Sequence, residues 1–414
     1  MRFAKAHDES GLMDDSNQAF EESTKMVRQV GRKPKRITLV SAYYPSHGGG
    51  MELATADLAR TLLDAGHDLR WLAQPDGPLP SGLEQHCIPI TGTDIVYRFS
   101  GVPLPLIAPW EVFKILRHVQ ASDLVVIVEA NFVSSLMAFG LAKVAGTKTL
   151  VVQHVGAPST VSSFARLLTQ VGETFATRPI IRSADEVIYV SQFVAEHFDG
   201  LRDSRDSQVI WHGIDTDLFR PANTAQEQAD VRSQFQLPTS GNLACFMGRL
   251  TESKGILVVR ELARILPDWH FAIAGIGPID PMNWGLGNVT YLGQLDRSSV
   301  AELYRSSDTC VLPSQSESFS LVVREALASG CRVVCSEQIL ETDPQLSAFI
   351  ETQAVDLADV RATAARFASS MINPGHSDCE RAREYVRRNC SRDSAATRYK
   401  AIVAGLFDQA DRAA

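Results

Sequence analysis

Short β-rich runs that end in glycine- or proline-bearing loops and lead into helix-patterned segments constrain this chain most, because the pattern runs through it twice. Ile37-Thr38-Leu39-Val40-Ser41 is followed by Pro45 and Gly48-Gly49-Gly50. A helical spacing of Leu53, Ala56, Leu58, Ala59, Leu62 and Leu63 comes next and stops at Gly66, a natural helix C-terminal residue. Further buried-type strands are expected at 68–73, 124–128, 149–153, 186–190 and 209–211. A turn-rich stretch, His212-Gly213-Ile214-Asp215 and then Pro221, interrupts the series. The alternation restarts at Asn242, with strands expected at 243–247, 269–274, 289–292, 309–312 and 332–335, and the chain ends in helix-like segments over 360–371 and 377–407. Strands alternating with helices imply a parallel sheet covered on both faces.

The expectation is therefore an α/β protein of two Rossmann-like, doubly wound domains facing a central cleft. Residues 36–211 form the first domain, 212–240 a connection and 241–391 the second domain, with 392–414 a helix crossing back onto the first. Residues 1–35 are polar and without periodicity, so they read as a disordered tail. The tail ends in the basic cluster Arg28, Arg32, Lys33, Lys35 and Arg36, for which contact with anionic lipid is the second reading.

Composition narrows the function. The formal net charge of −8 argues against a dedicated nucleic-acid binder. Seven cysteines in 414 residues are too few for a disulfide scaffold and read as reduced thiols in a cytoplasmic protein. The most apolar stretch, 124–144, is broken by Glu129, Asn131 and Lys143, so no membrane span is expected, and no signal peptide is visible.

In doubly wound folds the chemistry lies in loops just after strands. The loop Ser46-His47-Gly48-Gly49-Gly50-Met51-Glu52 lets backbone N–H groups approach an anion, or is simply a tight turn. It is not GxGxxG, so a dehydrogenase is poorly supported. The loop Gly248-Arg249-Leu250-Thr251-Glu252-Ser253-Lys254-Gly255 places two cations near a helix start, which suits a diphosphate; surface charge is the plainer reading. Its spacing is not that of a Walker A loop. The third loop runs from Pro313 through Ser320 into a helix and carries Glu317, with Glu325 about two turns along that helix. Such carboxylates can accept hydrogen bonds from sugar hydroxyls, though two glutamates eight apart can also be coincidence.

Together these loops resemble the retaining glycosyltransferases of family 4, also called group 1, whose fold is GT-B. Pro313 through Gly330 resembles the family's E-x7-E signature, with Glu317 and Glu325 in register. Gly248-Arg249-Leu250 with Lys254-Gly255 is similar to its G-R-L…K-G loop, and Ala274-Gly275-Ile276-Gly277-Pro278 to its A-G-x-G-P turn. Gly48-Gly49-Gly50-Met51-Glu52, Ala65-Gly66-His67-Asp68, Val190-Ser191 and His212-Gly213-Ile214-Asp215…Phe219-Arg220-Pro221 extend the likeness through the first half. The likeness spans residues 37–334 and departs after Cys335, where Ser336 through Asp343 replace a glycine-bearing segment.

The resemblance implies a nucleoside-diphosphate sugar as donor, a saccharide, lipid-linked or glycolipid acceptor held by the first domain, and a role in polysaccharide, lipopolysaccharide or glycolipid synthesis. It places the ribose on Glu325 and the diphosphate on Arg249, Lys254 and the N–H groups of Ser320 and Leu321. The sugar falls to Glu317 and the backbone of Ser318 and Phe319. Gly48, Gly49 and Gly50 would close over the diphosphate, with Gly277 also at the donor, and His154 would line the sugar and acceptor side. The location it implies is cytoplasmic, with peripheral contact at the inner face of a membrane as a further expectation.

No cofactor or metal is expected. Asp215-Thr216-Asp217 spells D-x-D but sits in the interdomain connection, and Cys331-x3-Cys335 reads as a buried strand pair. Residues 99–119 combine Pro103, Pro105 and Pro109 with Leu104, Leu106, Ile107, Trp110 and Phe113. They read as a first-domain helix with its leading loop, or as a surface touching a lipid-linked acceptor. A sugar-nucleotide epimerase on the same fold and a non-catalytic sugar-nucleotide-binding subunit remain as alternatives.

Overall fold

A computed structural model describes residues 33–95, 105–156, 169–202, 207–315, 317–373 and 378–413. The expected tail, for residues 1–32, and the beginning of the 99–119 stretch lie outside the described residues.

The first sheet contains seven parallel strands: β1 (Arg36–Tyr43), β2 (Asp68–Gln74), β3 (Cys87–Pro89), β4 (Leu124–Val128), β5 (Lys148–Gln153), β6 (Glu186–Tyr189) and β7 (Ser207–Val209). Their spatial order is 3-2-1-4-5-6-7. Every residue of β4, Leu-Val-Val-Ile-Val, is buried, as a central strand covered on both faces requires. The second sheet repeats the plan with β8 (Asn242–Met247), β9 (Trp269–Ala274), β10 (Val289–Gly293), β11 (Thr309–Leu312), β12 (Arg332–Ser336) and β13 (Glu351–Gln353), in the order 10-9-8-11-12-13. In each sheet the winding reverses beside its first strand, between β1 and β4 and between β8 and β11. These reversals open the crevices in which such folds bind ligands.

Five helices matter below: α1 (Gly50–Asp64), α2 (Glu111–Gln120), α3 (Ile256–Ile265), α4 (Leu321–Ala328) and α5 (Arg392–Ala413). Each domain has its own apolar core. Ala395, Tyr399, Ile402, Val403, Leu406 and Phe407 of α5 belong to the first domain's core, although α5 follows the second domain in sequence. The Lys148 ammonium donates to the Leu406 carbonyl at 2.5 Å and fastens the far end of α5 there.

Three local features differ from the sequence expectation, each for a packing reason. The last strand of the first sheet ends at Val209, because Trp211 turns away to lie against Arg324 and Tyr385 of the second domain. The stretch 212–240 is built into the second domain: Ile214, Phe219, Val231 and Leu237 are in its core, and Arg232 of the helix Ala225–Gln234 pairs with Asp308 at 3.0 Å. The terminal helical run is broken at Cys390–Ser391, where the backbone pairs with Ile214 instead of continuing the helix.

Candidate active site

The loops flanking the two reversal points face each other. After β1, Gly48 ends a short 3-10 turn and Gly49 caps α1. A Cβ placed on Gly50 would lie 2.9 Å from Cδ1 of Leu321, the first residue of α4 in the other domain. A larger residue there would have to push the end of the Leu321 side chain aside, so glycine lets the two domains approach closely. The first N–H groups of α1 and α4, which have no acceptor within their own helices, lie at this meeting point; the Glu52 carboxyl takes its own at α1 and the Ser320 hydroxyl takes that of Val323 at α4.

The second-domain side is assembled from three loops. After β8, Leu250 N–H donates to the Ile276 carbonyl at 2.9 Å, locking the 248–255 loop to the turn after β9. That turn contains Gly277, on which a Cβ would come 2.5 Å from the Leu250 carbonyl oxygen. Gly277 therefore shapes the site by permitting close packing of two loops. Arg249 is exposed, and its charge acts on Glu52 of the first domain. Burial raises the Glu52 carboxyl above its ordinary value, and His47 and Arg249 oppose that rise.

The Lys254 ammonium lies 2.6 Å from Glu317 Oε1, and both side chains are largely shielded, at 20% and 13% exposure. The two residues assigned from sequence to phosphate and to sugar are thus paired with each other. The Ser320 hydroxyl caps α4 by accepting from Val323 N–H. Phe319 is buried against Arg324 and His212, so only its backbone is left for a ligand.

Glu325 is 8% exposed, and burial pushes its carboxyl up to about 7, with Arg297 at 3.8 Å opposing the rise. Its nearest cation is too distant for a hydrogen bond, so the carboxylate keeps acceptor capacity for hydroxyl donors.

His154 is joined to this assembly through an aromatic stack. Its ring stacks on His212 with centroids 4.8 Å apart, and His212 meets the Phe319 ring edge-on at 5.0 Å. Burial lowers both imidazoles, His154 to about 4 and His212 well below its ordinary value, so both are neutral at neutral pH. The stack runs from the first domain through the connection into the Glu317 loop. His154 and His212 also close one end of a cavity of about 240 Å³ between α1 and α5.

Several residues outside the expected set hold these groups in place. Glu129, buried directly after β4, accepts from the backbone N–H groups of His154 and Val155 at 3.0 and 2.8 Å and from Gln153 Nε2 at 2.6 Å. Its left-handed backbone, φ 63°, aims the carboxylate at that loop. Arg324, fully buried, lies 3.8 Å from the Phe319 ring centroid and 3.3 Å from Asp343, which also accepts from the Tyr385 hydroxyl at 2.7 Å. The sequence signal for Glu129 was a lone acid ending a five-residue apolar run. Arg324 and Asp343 gave none, since their pairing spans a turn of variable shape.

Asp215 spends both carboxylate oxygens on the protein, accepting from Leu218 N–H at 3.0 Å and from Arg392 at 2.6 Å. Cys331 and Cys335 are buried in the second core. Among the described residues there is no group of three or more His, Cys, Asp or Glu side chains placed to hold a metal ion.

Comparison with known proteins agrees with this architecture. A family model described as glycosyltransferase family 4 matches residues 48–218, and one described as glycosyl transferases group 1 matches residues 241–366. The D-inositol 3-phosphate glycosyltransferase of Mycobacterium leprae is 30% identical over 177 residues, which cover 39% of this chain and 38% of that protein. The putative teichuronic acid biosynthesis glycosyltransferase TuaC of Bacillus subtilis is 32% identical over 163 residues, covering 39% and 41%. The chain thus spans about two-fifths of the length of the curated relatives it matches. Sucrose-phosphate synthase from Thermosynechococcus elongatus superposes with a TM-score of 0.68 at 20% identity, over 91% of this chain and 100% of that one. Anabaena HepE in complex with UDP does so with a TM-score of 0.68 at 17% identity, over 90% and 100%. At such identities the likeness is one of fold. With one family model on each domain and the GT-B arrangement of both, the chain belongs to glycosyltransferase family 4, group 1.

Proposed function

We propose that the protein transfers a sugar from a nucleoside-diphosphate sugar to a saccharide, lipid-linked or glycolipid acceptor, with retention of configuration and without a divalent metal. The observation that carries this reading is the shielded Lys254–Glu317 pair set beside the start of α4, with Gly50 of the other domain against Leu321. One cation beside free helix N–H groups suits a phosphate, and a carboxylate next to it suits sugar hydroxyls. Arg249 supplies a second cation on the cleft side. That HepE was solved with UDP and with UDP-glucose on this fold supports a nucleotide-sugar donor.

In this reading Arg249 and Lys254 stabilise charge growing on the leaving diphosphate, a preorganised effect that needs no metal ion. Glu325 accepts the two ribose hydroxyls. Glu317 holds the sugar while it flattens toward an oxocarbenium ion, and the departing phosphate takes the acceptor's proton on the same face. The first-domain loops around His154 receive the acceptor.

The test is donor consumption, with and without a panel of acceptors, together with the anomeric configuration of the product by NMR. Acceptor-dependent turnover that survives chelation, with configuration retained, is the expected result. A free epimerised sugar points instead to an epimerase, nucleotide binding without turnover to a binding subunit, and loss of turnover in EDTA reversed by Mg²⁺ or Mn²⁺ to a metal site.

Glu325 makes the donor site pH-sensitive. Its folded value, about 7, lies above the ordinary carboxylate value. The proton is therefore bound more tightly in the folded chain, and this contribution to stability is full in acid and lost as pH rises through about 7. Nucleoside-diphosphate affinity should run the other way and strengthen as pH rises across neutrality, because the ionised carboxylate is the better hydroxyl acceptor. Calorimetric titration across that range should give a flatter profile for Glu325→Gln. An unchanged profile would remove Glu325 from the nucleotide site.

A further inference from the structure

The chain passes between the domains twice, and the two passages lie side by side. Ile214 N–H donates to the Cys390 carbonyl at 2.6 Å and Arg392 N–H to the Ile214 carbonyl at 3.0 Å, which makes 212–214 and 390–392 one hinge. Gly213 lets them close, since a Cβ there would come 2.8 Å from Cα of Arg392. The cavity of about 240 Å³ between α1 and α5 lies against this hinge, with His212, Gly213, Arg392 and Asp393 in its wall. None of the donor-loop residues 248–255, 275–278 or 313–325 lines it.

The enclosed part of the cavity is polar but uncharged, over an apolar floor. His154, His212 and Tyr399 line it and are 6%, 8% and 7% exposed. Among the described residues, neither ring nitrogen of His212 nor the Tyr399 hydroxyl has a hydrogen-bond partner. His154 uses one nitrogen, Nδ1, on the Val152 carbonyl at 3.3 Å. Polar groups buried this deeply are ordinarily hydrogen-bonded, so these three call for partners inside the cavity. Burial keeps both imidazoles neutral, and each neutral ring has one donor and one acceptor nitrogen. Leu58, Val128, Val152 and Ala395 form the floor. The charged groups stand around this wall and are largely engaged. Arg392 lies 3.1 Å from Asp57 and 2.6 Å from Asp215, Arg60 lies 3.3 Å from Asp57, and Asp64 and Asp393 are exposed.

We propose that this cavity is a second ligand site, separate from the donor cleft, which takes one uncharged polyhydroxylated ring of monosaccharide size and couples it to nucleotide binding through the hinge. The volume lies just below the range of about 300–1,000 Å³ that holds drug-sized ligands, so it suits a single ring. Hydroxyl groups both donate and accept, as the neutral imidazoles and the phenol require, and the C–H face of a sugar ring matches the apolar floor. A phosphate or carboxylate would meet Asp57, Asp64 and Asp393 and find both arginines engaged. An ammonium would lose its water against a wall that has no counter-charge. A ligand bonded to His212 and Tyr399 would bridge both passages of the hinge and α1. It would also hold the His154–His212–Phe319 stack, and with it the loop that leads into α4, before nucleotide arrives. The site stands on the cavity alone; only the coupling rests on the donor reading.

The test is a saturation-transfer NMR titration of the full chain with glucose, galactose and mannose, and with glucuronate and glucose 6-phosphate as charged controls. At least one neutral hexose should saturate with a Kd of about 1 mM or tighter, and the charged controls should bind about tenfold more weakly. Saturating nucleoside diphosphate should tighten the hexose about fivefold, and the hexose should tighten nucleoside diphosphate by the same factor, as linkage requires. Tyr399→Phe should weaken the hexose about fivefold, the loss of one hydrogen bond. Its thermal midpoint should stay at the wild-type value, because the hydroxyl has no protein partner. Ala396→Phe, at a half-buried position in the cavity wall, should abolish hexose binding and the coupling while leaving nucleotide affinity in the absence of hexose unchanged. No saturation by any neutral hexose up to about 10 mM overturns the proposal. So does binding that both variants leave intact, which puts the sugar in the cleft, or a hexose consumed when nucleotide sugar is added, which makes it an acceptor. Equal nucleotide affinity with and without bound hexose overturns the hinge role. Absence of nucleotide binding, with hexose binding present in the wild type and lost in Ala396→Phe, would remove the donor reading and support this site.

Discussion

Arg249→Ala and Lys254→Ala should each lower kcat/KM by about 100- to 1,000-fold, the loss that follows removal of one preorganised donor at a developing oxyanion. The two variants should differ in how the loss arises. Arg249 is exposed, and the buried Glu52 carboxyl that its charge assists is assisted by His47 as well, so the effect should fall mainly on kcat with little change in fold stability. Lys254 is held 2.6 Å from Glu317, so its removal also strands a carboxylate that is 13% exposed. Lys254→Ala should therefore weaken nucleoside-diphosphate binding more than Arg249→Ala, because a stranded anion repels the phosphates. Adding Glu317→Ala to Lys254→Ala should recover part of that affinity without recovering turnover. Calorimetry of each variant with nucleoside diphosphate, run beside a transfer assay, checks both statements. Strictly additive losses across the pair would mean that the two side chains act independently. Wild-type turnover in Arg249→Ala would remove it from the reaction.

The sequence made the strand–helix alternation legible because strands such as β1, β8, β9 and β11 are short apolar runs closed within two residues by Gly or Pro, a pattern set by local chemistry. The Glu317 and Glu325 spacing was legible for a related reason. A loop followed by a helix start fixes where both carboxylates can sit, and the structure puts one beside Lys254 and the other, on α4, beside Arg297. What could not be read is what depends on contacts far apart in sequence. Glu129 orders the His154 loop from 25 residues away. Arg392 reaches back 335 residues to Asp57 and 177 to Asp215, so the residue that ties α5, α1 and the connection together carries no local pattern. The stretch 212–240 looked like a linker because its apolar residues are sparse. Ile214, Phe219, Val231 and Leu237 are nonetheless enough to seat it in the second core.

Arg324→Met should lower the stability of the second domain by about 3–5 kcal/mol, because it leaves Asp343 as an uncompensated charge in a fully enclosed site. The guanidinium has no exposed surface, pairs with Asp343 at 3.3 Å and donates to the Ser320 carbonyl at 3.3 Å. It also lies under the Phe319 ring, whose edge carries His212 and, beyond it, His154. One side chain thus supports the fold and the loop that presents Glu317. The two roles come apart in a second variant. Arg324→Met/Asp343→Leu replaces the ion pair with apolar groups and should regain most of the lost stability, since a buried pair is often worth little more than well-packed hydrophobes. It cannot restore the cation beneath Phe319 or the bond to Ser320, so the loop should stay displaced and turnover should stay low. Denaturant unfolding midpoints and transfer rates, measured on the wild type and both variants, separate these effects. A wild-type midpoint in Arg324→Met would mean that the Arg324–Asp343 pair does not support the fold. Full recovery of turnover in the double variant would mean that Phe319 and the Glu317 loop hold their place without the guanidinium.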